Sequence, residues 1–489
     1  MENLKKKTIT GLGFDLINRF SRQGINFVIT VFLARILSPS DFGLVAIVNV
    51  IIIFASDMNQ MGLGSAIVQK KDTKDEDYGS VFYFNMAAGI LLTTVVFSIA
   101  GPVSRFYDHP ELKQIMRVMS FTFIINSFCM VRVSWLRKHL KFPTITISSL
   151  VALVVGGTVG IVMAYRGYGV WCLVAQSLIS ALVNNLCIYF LTKWKPVLIF
   201  KWQALKSLWK YGIHMFGVNV LDTFSSQMDN LIIGKLFTPV TLGFYNRAKS
   251  LNTLVSDYSS GGLMTVFFPV LSSIQDDKDR FEKVVFRFFH FVSFTSFFMS
   301  GFFYLCAKDF IVILFTAKWI PAIGYYKIMV LAGFVYPLSI VLVNIITSKG
   351  NSRIYLRLNI IKKSFLFLNF IIGFYFGIEG FLYGLVLVSF INLSLNIIFA
   401  ANEMEVKAGW FFSIFWKYLL ADVFIIFLFY VFQDYWTIDN YWLHIIVFGS
   451  LFAAAYFTVT KLMKLEGQKL FVIELKKLNI TGRLGKLFR

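Results

Sequence analysis

Four polar residues near the start of the chain, Asp15, Arg19, Arg22 and Asn26, are spaced four, three and four apart. That spacing puts them on one face of a helix. Asp15 and Arg19 can pair one turn apart, which leaves Arg22 as net positive charge beside the amide of Asn26. A guanidinium fork suits two hydrogen bonds to phosphate oxygens. A second stripe, Asn219, Asp222, Ser226, Asp229 and Asn230, carries carboxylates instead, the chemistry of a cation or a proton. Two more carboxylates, Asp57 and Asp257, each follow a serine and precede a glycine-containing tract. On this reading Arg19, Arg22, Asn26 and Asn219 contact an anionic substrate. Asp15, Asp57, Asp222, Asp229 and Asp257 then serve ion coupling or gating. Two alternatives stay open: a salt bridge between Arg22 and Asp222 that holds one conformation, and charges that snorkel to an interface.

These residues sit in a chain that is 57% hydrophobic and 15% charged, with a mean hydropathy of +0.69. No soluble core hides that much apolar surface, so the bilayer is the solvent. The formal net charge of +21 then belongs to basic loops and anionic headgroups, not to nucleic acid, because the basic residues alternate with the spans. With about 20 apolar residues per crossing, the chain accommodates about fourteen spans. They lie near 12–36, 43–67, 79–102, 114–135, 144–165, 169–192, 211–236, 244–273, 287–307, 324–348, 355–377, 380–402, 411–432 and 441–462. The first, seventh and eighth are the most polar. Placing the N-terminus inside gives the inner segments roughly fivefold more Lys and Arg than the outer loops, so both termini are expected in the cytoplasm. The segment Lys193–Lys210, containing FKWQALKSLWK, reads as an amphipathic surface helix joining two halves. The four cysteines have no metal-ligand spacing and read as small packing residues. Arg117 and Arg132 read as side chains reaching for the interface.

The chain also repeats itself. At an offset of 200, Pro39 meets Pro239, Gly43 meets Gly243, Ser56–Asp57 meets Ser256–Asp257, and Gly62–Leu63 meets Gly262–Leu263. Pro starts a turn and Gly lets the next helix approach closely. An even number of spans separates the copies, so they share orientation, as in parallel-repeat transporters. The expected fold is therefore all-α and integral to the membrane, with about fourteen spans. Two parallel-repeat six-helix lobes, 1–192 and 211–402, are joined by a linker helix at 193–210. Two further spans occupy 403–462, and a basic cytoplasmic tail occupies 463–489. No Walker loop, nucleophile elbow or His-rich metal motif occurs, so no enzyme, metal or cofactor is expected, and energy would come from an ion gradient, the membrane potential or removal of product.

The tracts ARILSPSDFGLVAI, RGYGVWCLVAQSL, MDNLIIGKLFTPVTLGFYNRAKSL and FFPVLSSIQDDKDRF resemble the polysaccharide transporter branch of the multidrug/oligosaccharidyl-lipid/polysaccharide (MOP) exporter superfamily. The likeness is greatest to its lipopolysaccharide, colanic-acid and teichuronic-acid flippases and covers nearly the whole chain. It implies a two-lobe, V-shaped fold that moves an undecaprenyl-diphosphate-linked oligosaccharide across the bacterial inner membrane. H+ or Na+ would be the coupling ion, with membrane lipids and a polysaccharide polymerase as partners. It also implies that Arg19 and Arg22 belong to an arginine-bearing first helix, and Asp222 and Asp229 to a polar seventh one. The rivals are a cation-coupled drug antiporter of the same superfamily, which would want an acidic N-terminal lobe, and a membrane polymerase or ligase. The latter would use a large external loop, whereas the longest one here, Ala307–Ile323, is apolar.

Overall fold

The structure is a computed structural model. It describes residues 20–192, 194–195, 197, 199–432, 438 and 440–478, apart from the side chains of 256–266, 352 and 474–478. No strand occurs among the described residues. After a helix at 20–36 (α1) come α2 (Pro39–Gln60), α3 (Leu63–Gln69), α4 (Asp75–Phe106), α5 (Glu111–Lys138), α6 (Phe142–Tyr165), α7 (Trp171–Leu191), α8 (Trp202–Leu236) and α9 (Pro239–Ser273). Then follow α10 (Lys278–Leu305), α11 (Ala307–Phe315), α12 (Ala322–Gly333), α13 (Val335–Ser348), α14 (Ser352–Met404), α15 (Gly409–Phe432), α16 (Tyr441–Leu462) and α17 (Glu466–Leu478). The chain forms two compact units, Met1–Gly243 and Phe244–Arg489.

Small residues let neighbouring helices lie close, as expected where lipid supplies no hydrophobic drive between them. In the first unit α4 lies along α5, with Gly89 against Phe123 and Ser127. Asn59 of α2 joins this seam, its Nδ2 donating to Ser127 Oγ at 3.0 Å. Helix α6 lies along α7, with Gly156 against Ser180 and Gly160 against Gln176. Ile29 of α1 packs on Gly157 of α6. Around the start of α4, Lys70 pairs with Asp77 at 2.8 Å and Lys201 with Glu76. The second unit is bound by aromatic rings. Phe294, Phe297, Tyr418, Phe452 and Tyr456 form a buried cluster shared by α10, α15 and α16. Helix α17 closes onto it, with Gly467 N–H donating to the Tyr418 hydroxyl at 2.9 Å.

Ten helices among the described residues are long and apolar enough to cross a membrane. The expectation of about fourteen spans is not reached on length and composition, and the difference falls at identifiable places. The helix at 20–36 is too short among the described residues to qualify, and α8 and α9 are helical but too polar. Helix α14 is 53 residues long and takes in two expected spans, divided at Gly377 by φ 71° and ψ −166°. The span expected at 43–67 is likewise broken, because Met61 and Gly62 adopt the left-handed conformation between α2 and α3. The segment 202–210 is not a separate linker helix: it is continuous with the seventh expected span in α8, since nothing between Lys201 and Leu236 interrupts the helical backbone. Arg132 does not reach outward. It is 6% exposed, with its guanidinium 4.5 Å from the Tyr189 ring centroid, a stacking contact that compensates for lost water. Arg117 lies over Phe97 in the same way. All four cysteines are free, and three are buried.

The backbone at Gly377 lies in a region that essentially only glycine occupies, where strain amounts to about 1–3 kcal/mol. Gly377→Ala should therefore lower the melting temperature of the detergent-solubilised protein by several degrees; an unchanged melting curve would show that the break in α14 carries no strain.

Candidate functional site

The repeated motif builds the same helix start twice. Ser38 caps α2: its Oγ accepts from Asp41 N–H at 3.3 Å, and its own N–H donates to Asp41 Oδ2 at 2.9 Å, with Pro39 as the first helical residue. Thr238 repeats the arrangement at α9, where Thr241 N–H donates to Thr238 Oγ1 at 3.2 Å ahead of Pro239. A side-chain cap satisfies a backbone N–H that the first turn leaves over, and Pro tolerates the position because it has none. Glycine follows one turn after each proline, at Gly43 and Gly243.

The two copies face each other. A Cβ at Gly43 would overlap the Pro239 carbonyl, and a Cβ at Gly243 would overlap the Pro39 carbonyl. Each glycine thus receives the backbone of the other copy's proline, a reciprocal contact of the kind a two-fold relation produces. From this clasp α2 and α8 run antiparallel. Gly234 of α8 meets Ile47 of α2 near the clasp, and the Thr223 hydroxyl donates to Asp57 Oδ2 further along. At the far end Gly62 meets Gly212. The Asp57 carboxylate therefore has a structural partner on the helix that carries the second polar stripe.

The described candidates divide by exposure. Arg22 and Asn26 stand on α1 and are both exposed. On α8, Asn219 and Asp222 are exposed, whereas Asp229 is half-buried and its Oδ1 accepts from Asn230 N–H at 2.9 Å. The stripe on α8 thus borders the side that packs on α2: Thr223, which bonds Asp57, directly follows Asp222 and stands one turn from Asn219. Asp15, Arg19 and the side chain of Asp257 lie outside the described residues; the backbone of Asp257 is helical within α9. No group of three or more metal-ligating side chains occurs among the described residues.

Three groups escape the stripe criterion because none belongs to a row of polar residues at helical spacing. His290 accepts or donates at 3.1 Å from the Tyr418 hydroxyl, Asp422 is 3% exposed against Gly301, and Lys362 sits within the expected span 355–377. The signal that finds them is the mere presence of an ionisable residue inside an apolar run.

Residues 32–324 match the family described as Polysaccharide biosynthesis protein. The succinoglycan biosynthesis transport protein ExoT of Rhizobium meliloti (strain 1021) is 26% identical over 275 residues, so the chain spans 56% of that relative and is itself covered to 56%. The lipopolysaccharide biosynthesis protein WzxC of Escherichia coli (strain K12) is 23% identical over 402 residues, 81% of each chain. The teichuronic acid biosynthesis protein TuaB of Bacillus subtilis (strain 168) is 21% identical over 341 residues, 68% of this chain and 69% of the relative. Among solved structures, the lipid II flippase MurJ in an inward closed conformation aligns with a TM-score of 0.73 at 14% identity, covering 92% of this chain and 98% of that one. An inward-facing multidrug resistance MATE family transporter of the MOP superfamily aligns at 0.60 with 15% identity, covering 78% and 94%. The fold is like that of these two all-α membrane proteins.

Any side chain larger than hydrogen at Gly43 or Gly243 pushes the opposite proline away. Gly43→Val and Gly243→Val should each raise the labelling rate of a cysteine placed at Thr238 by a membrane-impermeant maleimide. Equal labelling of the variants and the parent would show that the clasp does not protect this turn.

Proposed function

The chain belongs to the polysaccharide biosynthesis protein family, and on that premise we propose that it is a flippase. It would move an undecaprenyl-diphosphate-linked oligosaccharide from the cytoplasmic to the outer leaflet of the bacterial inner membrane. The observation that carries this reading is the pairing of the family match with a fold like that of a lipid II flippase. The exposed Arg22–Asn26 face on α1 supports it, because a cationic, hydrogen-bonding stripe is what a lipid diphosphate needs.

The physical task is to spare a hydroxyl-rich headgroup from hydrocarbon, where unpaired polar groups are expensive, while the polyprenyl tail stays in lipid. In this reading Arg19 and Arg22 hold the diphosphate, and Asn26 and Asn219 take sugar hydroxyls. Asp15, Asp222, Asp229 and Asp257 respond to H+ or Na+. Asp57 acts as a gate residue through its bond to Thr223. Both termini lie in the cytoplasm, as the distribution of basic loops favours. The clasp of Pro39, Gly43, Pro239 and Gly243 is the outer closure, which must part when the glycan leaves. The protein works as a transporter and not as an enzyme, delivering its cargo to a polymerase on the far side.

Cells lacking this gene should accumulate the lipid-linked oligosaccharide on the cytoplasmic leaflet and lose the surface glycan. Complementation with Arg22→Ala should restore the protein to the membrane but lower glycan export at least about tenfold, the range for losing a hydrogen bond to a charged group. Full export by Arg22→Ala would remove the cationic receptor, and normal glycan in the deletion would point to small-molecule export instead. In vesicles, Asp222→Asn should change the dependence of transport on the ion gradient; identical dependence would take Asp222 out of coupling.

A further inference from the structure

The second unit contains a cavity of about 360 Å³ between α12, α13 and the two arms of α14, its wall mostly apolar but carrying a group of polar side chains. Its lining includes Ser339 from α13, Tyr355 and Lys362 from the first arm, and Ser389, Asn392 and Asn396 from the second. Lys362 Nζ donates to Asn396 Oδ1 at 3.3 Å, and no other hydrogen bond of this ammonium occurs among the described residues. No carboxylate lines the cavity. Asn396 is 0% exposed, yet its Nδ2 has no hydrogen-bond partner, and the buried Oδ1 of Asn392 has none either.

A lysine without a counter-ion inside an apolar helix pair is expensive and marks a functional position. The inventory of unmet groups defines what would meet them. The ammonium calls for an anionic acceptor, Asn396 Nδ2 for an acceptor and Asn392 Oδ1 for a donor; phosphate and hydroxyl groups together meet all three. The cavity volume is at the small end of the range for ligand pockets, enough for a headgroup and not for a long glycan.

We propose that this cavity binds a phosphate-bearing, hydroxylated headgroup, with Lys362 and Asn396 on the phosphate and Asn392 on a hydroxyl. Two lipids supply that chemistry: a lipid-diphosphate-linked sugar and a phospholipid such as phosphatidylglycerol. Identification with the former rests on the transport function proposed above; the phosphate chemistry does not.

The test uses the purified full-length protein in detergent and three probes: farnesyl-diphosphate-linked hexose, short-chain phosphatidylglycerol, and a farnesyl hexoside without phosphate. Binding is measured in the parent and in an Arg22→Ala background, so that a site on α1 does not mask this one. Lys362→Ala and Lys362→Gln should weaken binding of a phosphorylated probe at least about tenfold, Lys362→Arg should retain most of it, and the phosphate-free probe should bind weakly throughout. A photoreactive residue at position 355 should cross-link the same phosphorylated probe while Lys362 is intact, which keeps the test informative if the lysine variants melt early. Preference for the diphosphate sugar assigns the site to the lipid-linked glycan. Lys362-dependent binding of phosphatidylglycerol alone keeps the site but counts against the transport reading. Binding of both phosphorylated probes within about twofold of the parent in Lys362→Ala and Lys362→Gln, with no cross-link from 355, would overturn the inference; loss of binding on Arg22→Ala alone would then leave the transport reading standing.

Discussion

Two backbone carbonyls decide how the first unit is put together. Pro39 and Pro239 each lie where the other copy's glycine would carry a side chain, so their helices approach to backbone contact. Such closeness requires glycine on both sides, which is why the motif is repeated whole and not only its proline. The caps at Ser38 and Thr238 fix where each helix begins, and therefore fix each glycine one turn inside. From that anchor the α2–α8 seam follows: Gly234 on Ile47, Thr223 on Asp57, Gly212 on Gly62. Asn219 and Asp222 stand beside this seam and are exposed. A helix too polar to count as a span by composition is thus held in place along the side that its polar stripe borders.

The two units solve different problems. The first unit uses small residues and close seams, as between α4 and α5 or α6 and α7. The second fills its core with rings, and the last helices lock on through Tyr418 and Tyr456, whose hydroxyls find backbone partners at Gly467 and Phe294. Buried polar atoms without partners occur both in that core, at Ser293, Ser300 and Asp422, and beside Lys362, at Asn392 and Asn396. Buried polar atoms in a low-dielectric interior are expensive when unpaired; those of Asn392 and Asn396 differ from the others in lining a cavity together with a lysine.

Much of this was legible in the chain itself. The all-α membrane character followed from composition, and the family resemblance from tracts such as FTPVTLGFYNRAKSL. The offset of 200 picked out Pro39, Gly43, Pro239 and Gly243, because a close approach leaves glycine no substitute. That the two copies approach each other was not legible, since no local pattern reports a partner 200 residues away. The linker helix was misjudged because amphipathic character marks a surface but not a helix end, and α8 simply continues. Arg132 looked like an interfacial residue by position, yet Tyr189 on another helix decides its burial. Lys362 was passed over because an adjacent pair, Lys362 and Lys363, has no stripe spacing to analyse; only the neighbouring arm of α14 reveals the amides beside Lys362.

The central claim is that the clasp is the outer closure of a glycan transporter, and it is open to one direct measurement. Cysteines at positions 38 and 238, in a background without the four native cysteines, can be joined by a reducible bifunctional linker in proteoliposomes. Leaflet-to-leaflet movement of a lipid-linked oligosaccharide is then followed before and after reduction. Transport that stops when the turns are joined and resumes on reduction is the result this account requires. Transport at an equal rate with the turns held together would contradict it, and the clasp would then be a fixed structural joint.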